Sequence, residues 1–211
     1  IPPEERFGPR FAEKAGRLHG ARHNFVFHAG MGQVPTDVAP DVRSRSYTIE
    51  AHVEIDEAGA DGVLISHGDA TSGYSLYVKD GRPRYCYNLL GLQRFKIEGD
   101  AAIPPGTHQV RMEFAYDGGG PAKGGTVSLY VDGDKTGEGR VEATVPLIFS
   151  ADETADVGRD TASPVSDDYD GESSVFTGTV NWVQIDLGED AEDADHLITP
   201  EERLRLAMAR Q

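Results

Sequence analysis

The chain has 211 residues and a formal net charge of −16, from 36 acidic against 20 basic side chains. A surface that acidic repels phosphate backbones and anionic headgroups, which argues against nucleic acid and membrane as partners. One cysteine, Cys86, excludes an internal disulfide framework, and 25 glycines with 12 prolines suit a turn-rich β protein better than a helical one.

Residues 1–21, with Pro2, Pro3 and Pro9 among charged side chains, read as a linker or interdomain segment. Residues 24–28 (NFVFH) suit a first strand, and 29–45, with Pro35 and Pro40, read as loop. Residues 46–55 alternate: Tyr47, Ile49, Ala51, Val53 and Ile55 on one face, Thr48, Glu50, His52 and Glu54 on the other. Period-2 alternation predicts one buried and one wet face. Residues 62–67 form a short apolar strand, and 74–78 and 84–90 flank a hairpin turn containing Asp80-Gly81. Strands over 92–98, 108–116, 127–131, 139–143 and 176–187 complete the set, with a glycine-rich connection at 118–126.

About ten strands with turn signals every 8–12 residues predict an all-β, two-sheet antiparallel sandwich of jelly-roll or concanavalin-like type over residues 22–187. Ile49, Val53, Val110, Met112, Phe114, Val127, Leu129, Val183 and Ile185 are its expected core. Residues 188–211 read as an acidic linker and a short C-terminal helix, with Thr199 as N-cap, Pro200 at N1 and Glu202 at N3. Phe7, Phe11, Leu204, Leu206 and Met208 need cover, so self-association or docking is expected of both end segments.

Catalytic patterns are absent from the sequence. The stretch Glu54-Ile55-Asp56-Glu57 is similar to the strand motif of jelly-roll glycanases, but Glu54 and Glu57 are three apart and face opposite sides of a strand. The seven histidines show no zinc-site spacing, there is no Gly-x-Ser-x-Gly elbow, and the 118–124 loop lacks the ending of a phosphate loop. Cys86, between Tyr85 and Tyr87, reads as a buried thiol. Residues 152–170 are rich in carboxylates. Asp156, Asp160, Asp167 and Asp168 are the calcium candidates there, with a nearby arginine such as Arg159 as the other possible counter-charge and a solvated loop as the alternative.

Several blocks resemble the C-terminal region of bacterial arylsulfatases: 73–81 (GYSLYVKDG), 87–92 (YNLLGL), 114–125 (FAYDGGGPAKGG), 129–133 (LYVDG), 137–141 (GEGRV), 149–164 (FSADETADVGRDTASP), 165–169 (VSDDY) and 198–211. They cover most of residues 46–211, with Leu89-Leu90 where an aromatic pair is usual and Ala162 where glycine is usual. The resemblance implies a concanavalin/laminin-G-like sandwich that follows a sulfatase catalytic domain. No catalytic residue of that family falls in this sequence, so the resemblance implies a non-catalytic accessory domain of a sulfuric ester hydrolase, inactive alone and with that catalytic domain as its partner. The expected setting is soluble, in a bacterial cytoplasm or periplasm. The alternative from another class is a stand-alone glycan-binding module, with Tyr74, Tyr77, Tyr85, Tyr87 and Trp182 as candidates for stacking on sugar rings.

Overall fold

The computed structural model describes residues 23–188, apart from 29, 32, 36, 37, 147, 148, 150–153 and 162. The segments 1–21 and 189–211, with the expected C-terminal helix, lie outside the described residues. Twelve strands are formed: β1 (Asn24–His28), β2 (Val34–Pro35), β3 (Tyr47–Ile55), β4 (Gly62–Gly68), β5 (Gly73–Lys79), β6 (Arg82–Leu89), β7 (Gln93–Glu98), β8 (Gly106–Tyr116), β9 (Gly125–Val131), β10 (Asp134–Val141), β11 (Thr154–Val157) and β12 (Thr179–Leu187).

The strands pair antiparallel into two sheets of six. The front sheet has the order β1-β12-β3-β8-β9-β10 and the back sheet β2-β11-β4-β5-β6-β7. Among the described residues there is no helix, and thus none long and apolar enough to cross a membrane. The front sheet follows the expected alternation. Tyr47, Ile49, Ala51, Val53 and Ile55 point inward from β3, Val110, Met112 and Phe114 from β8, Val127 and Leu129 from β9, and Val183 and Ile185 from β12. All nine expected core residues are buried. Burying a side chain of this size stabilises by roughly 1.5–3 kcal/mol, so the inner face fixes the register of the whole sheet.

Two-residue turns join several strands. Asp80-Gly81 and Asp132-Gly133 both adopt positive φ (53° and 72°; 51° and 88°), the backbone hand that matches the twist of a tight hairpin. The glycine-rich β8–β9 connection closes around one phenol: Tyr116 donates from its hydroxyl to Gly120 O at 2.6 Å and accepts from Lys123 N at 2.9 Å.

The back sheet departs from alternation. β4 is buried at every position and β5 at six of seven. Their outer side is covered by residues 163–176, which cross the sheet as a strap. Tyr169 packs with Val63, Tyr77 and Cys86 in a second apolar cluster on that side. β2 and β11 fall where loop was expected, and they add an edge beside β4 through Ala155, which pairs with both Val34 and His67. The described chain enters and leaves at one corner, where Leu187 N donates to His23 O at 2.8 Å and β1 lies along β12.

Candidate functional site

Among the described residues the strap covers the middle of the back sheet, and the outer face of the front sheet is a broad polar face without such cover. The register sets its side chains in rows. One row runs His28, Trp182, His52 and Gln109 across β1, β12, β3 and β8. The next runs Gln184, Glu50, Arg111 and Tyr130, and a third Asp186, Thr48, Glu113 and Ser128. From Trp182 to Tyr130 these side chains are half-buried. Each has a flank packed on its neighbours and an edge in solvent.

A β-bulge shapes the centre. The β12–β3 register shifts between Val180 and Trp182, which leaves Asn181 as the extra residue. Two residues of a bulged strand then face one on the partner, and the local twist re-aims their side chains. Asn181 and Trp182 consequently both meet the outer face of β3. Asn181 Nδ2 reaches Glu54 Oε1 at 3.2 Å and stands 3.1 Å from His52 Nδ1, while the indole of Trp182 stacks flat on His52 at 5.5 Å and 8°. Around this pair, Asp186 accepts from Gln184 Nε2 at 2.8 Å and from Asn24 Nδ2 at 2.5 Å. Two strands away Arg111 lies over the Tyr130 ring, 4.6 Å from its centre, and pairs with Glu113 at 3.2 Å. An aromatic plate held edge-on among amides and carboxylates can stack on a sugar ring and hydrogen-bond its hydroxyls.

The residues named from sequence distribute unevenly. Of the five aromatic candidates, Trp182 alone keeps a solvent edge. Tyr74, Tyr77 and Tyr85 are 0% exposed and Tyr87 is 2% exposed, so they cannot stack on a ligand. Tyr74, Tyr85 and Tyr87 point into the core and Tyr77 lies beneath the strap. Glu54 ends β3 on the open face, while Glu57 lies in the turn beyond it, so the two do not form a pair. Glu50, which sequence reasoning passed over, shares the face with His52 and Glu54. The signal was present in the alternation of β3.

The four calcium candidates lie along the back sheet. Asp156 accepts from Thr154 Oγ1 at 2.9 Å, from Thr161 N at 2.9 Å and from the Thr161 hydroxyl. Asp160 Oδ2 accepts from Val165 N at 3.0 Å and from Tyr169 OH at 2.8 Å. Lys96 reaches both Asp167 and Asp168 at 2.5 Å, and Asp168 also accepts from Tyr77 OH at 2.5 Å and from Arg84 at 3.2 Å. The Lys96 ammonium holds the Asp167 carboxyl below the usual range. Burial would raise Asp168, but Lys96, Tyr77 and Arg84 together hold it low. The counter-charges on Asp167 and Asp168 are thus Lys96, Arg84 and, at 4.0 Å from Asp167, Arg94. Among the described residues no group of three or more His, Cys, Asp and Glu is placed to hold a metal ion. Cys86 is buried beneath the strap, where desolvation pushes its thiol up to about 12.

Known proteins can be set beside this geometry. Among curated proteins no sequence matches. Among solved structures, the CBM40 of a Ruminococcus gnavus IT-sialidase aligns at 16% identity and a TM-score of 0.49, over 80% of this chain and 93% of that one. Sheep galectin-11 in complex with glycerol aligns at 9% and 0.41, over 79% and 99%. Domains LG4-5 of the mouse laminin alpha1 chain align at 16% and 0.43, over 82% and 42%. The family description that matches the sequence spans residues 29–185, from the loop before β2 almost to the end of β12. The chain therefore belongs to the laminin-G-like branch of the concanavalin A-like lectin/glucanases superfamily.

Proposed function

We propose that the chain is a glycan-binding module and that its ligand lies on the outer face of the front sheet, across Trp182. The bulge at Asn181 carries the reading. It turns an indole and an amide onto one open face beside His52 and Glu54, and packs the indole so firmly that stacking costs little further ordering. Membership of a superfamily described by its lectins and glucanases supports the same assignment. The test is affinity electrophoresis of the full chain through gels carrying soluble neutral polysaccharides. Retardation by at least one of them is expected, with Trp182→Ala weakening it about tenfold. No retardation in any gel, or a Trp182→Ala protein that binds as the parent does, overturns the reading.

A second reading concerns the setting of the module. The blocks over residues 46–211 that resemble the C-terminal region of bacterial arylsulfatases support an accessory role beside a sulfatase catalytic domain. A formylglycine motif, Cys-x-Pro-x-Arg, encoded upstream in the same reading frame is the expected observation. An upstream frame without it removes this reading and leaves the binding module untouched.

A further inference from the structure

Resting on the proposed glycan face, we infer that its ligand is an uncharged glycan and that the face discriminates against sulfated, sialylated or uronate-bearing ones. The charges around Trp182 decide this. Three cations project from the front sheet, and each is already committed: Arg111 to Glu113 at 3.2 Å, Arg140 to Asp117 at 2.7 Å, and Lys135 to Glu138. Arg111 is further pinned over Tyr130, and its Nε is covered from solvent. On the outer face of β3 and β12 those pairs leave three carboxylates, two of them within one row of Trp182 in the ladder. Glu50 stands between Gln184, two residues along β12 from the indole, and Arg111, whose guanidinium is engaged by Glu113 and Tyr130. Glu54 faces Thr179 and hydrogen-bonds the bulged Asn181. Asp186 is held by the amides of Asn24 and Gln184. Among the described residues, none of the three has a lysine or arginine within ion-pair distance.

An anionic substituent on a ring stacked against Trp182 would meet the carboxylates of Glu50 and Glu54, with Asp186 further along β12, and no uncommitted cation among the described residues. Like charges brought together at a partly desolvated surface repel more strongly than any single added hydroxyl contact attracts. The same carboxylates are well suited to neutral sugars, whose vicinal hydroxyls donate to a carboxylate in pairs. The selectivity is thus built from repulsion as much as from attraction.

The experiment uses matched pairs at low ionic strength, with the full chain: laminarin against chemically sulfated laminarin, and agarose against chemically sulfated agarose. Affinity for the sulfated member is expected to be at least about tenfold weaker, with the gap shrinking when salt is raised. The triple variant Glu50→Gln, Glu54→Gln, Asp186→Asn, at exposed or half-buried positions, is expected to lower the ratio of neutral to sulfated affinity several-fold by raising affinity for the sulfated member, even where neutral binding weakens with the lost acceptors. Equal or tighter binding of the sulfated member, lost on Trp182→Ala, overturns the charge selectivity and leaves the glycan face standing. Binding of neither member in any pair overturns the glycan face, and the selectivity with it.

Discussion

The hydroxyls of Tyr47 and Tyr85, one from each sheet, meet at 2.5 Å in the middle of the core. Both side chains are buried, and desolvation holds both phenols well above their ordinary pKa, so the pair is a neutral hydrogen bond. Removing one hydroxyl strands the other in an apolar medium. Tyr47→Phe or Tyr85→Phe alone is expected to cost about 1–3 kcal/mol, while the double variant costs clearly less than the sum. Urea unfolding of the four proteins measures this, and additive losses would refute the pairing.

Tyr74 gives the opposite sign for the same substitution. It is fully buried in the same aromatic layer, between Tyr47, His67 and Phe149, and its hydroxyl has no hydrogen-bond partner among the described residues. Tyr74→Phe keeps the ring contacts and removes an orphaned polar atom. The expected result is unchanged or higher stability, by up to about 1–2 kcal/mol. A loss of that size in urea would reveal a partner for the hydroxyl.

These tyrosines also mark the limit of what the sequence discloses. In β3 and β8 one face is wet, so alternation reveals the core directly. In β5 and β6 the same alternation misleads, because residues 163–176 cover the second face and bury Tyr77 there, while Tyr74 and Tyr85 are buried in the core on the other face. Nothing local to β5 announces a strap held by Tyr169 and Asp168, ninety residues downstream. β2 and β11, of two and four residues, are too short for any period to show. Trp182 was visible as a candidate, but the bulge that sets Asn181 beside it carries no sequence signature.

His67 makes the fold acid-sensitive. It is buried with neither ring nitrogen hydrogen-bonded among the described residues, and desolvation, helped by Arg43 and opposed by Asp41 and Asp156, lowers its pKa to about 4. The unfolded chain takes up this proton near pH 6.5 and the folded one only near 4. The contribution of neutral His67 is therefore complete above pH 6.5 and is lost as pH falls towards 4, by about 3 kcal/mol in all. His67→Phe should flatten the decline in unfolding free energy across that window. Parallel pH profiles for the two proteins would contradict the assignment.

The strap can be followed through the thiol beneath it. With its pKa at about 12 and its side chain enclosed, Cys86 should react with a maleimide at neutral pH only after the strap lifts. Asp168→Ala removes the acceptor shared by Lys96, Arg84 and Tyr77, and is expected to destabilise by about 1–3 kcal/mol. It should also raise the labelling rate under conditions where the sandwich stays folded. Labelling as slow as in the parent would show that the apolar contacts of Tyr169 hold the strap unaided.

Calcium provides a separate check on the acidic segment. The oxygens of Asp156, Asp160, Asp167 and Asp168 already accept from protein donors. Millimolar calcium added to chelator-treated protein is therefore expected to leave the melting temperature unchanged. A rise of several degrees would show that the ion displaces those donors on the folded form.

Because β1 runs beside β12 and Leu187 is bonded to His23, the described chain begins and finishes within one hydrogen bond of itself. Any polypeptide continuing from both ends departs from a single corner, so the sandwich hangs from its surroundings like a pendant on one link. Stitching those ends together would ask little of the backbone. A circular permutant opened at the Asp80-Gly81 turn would keep every strand pairing except the closure of that one hairpin.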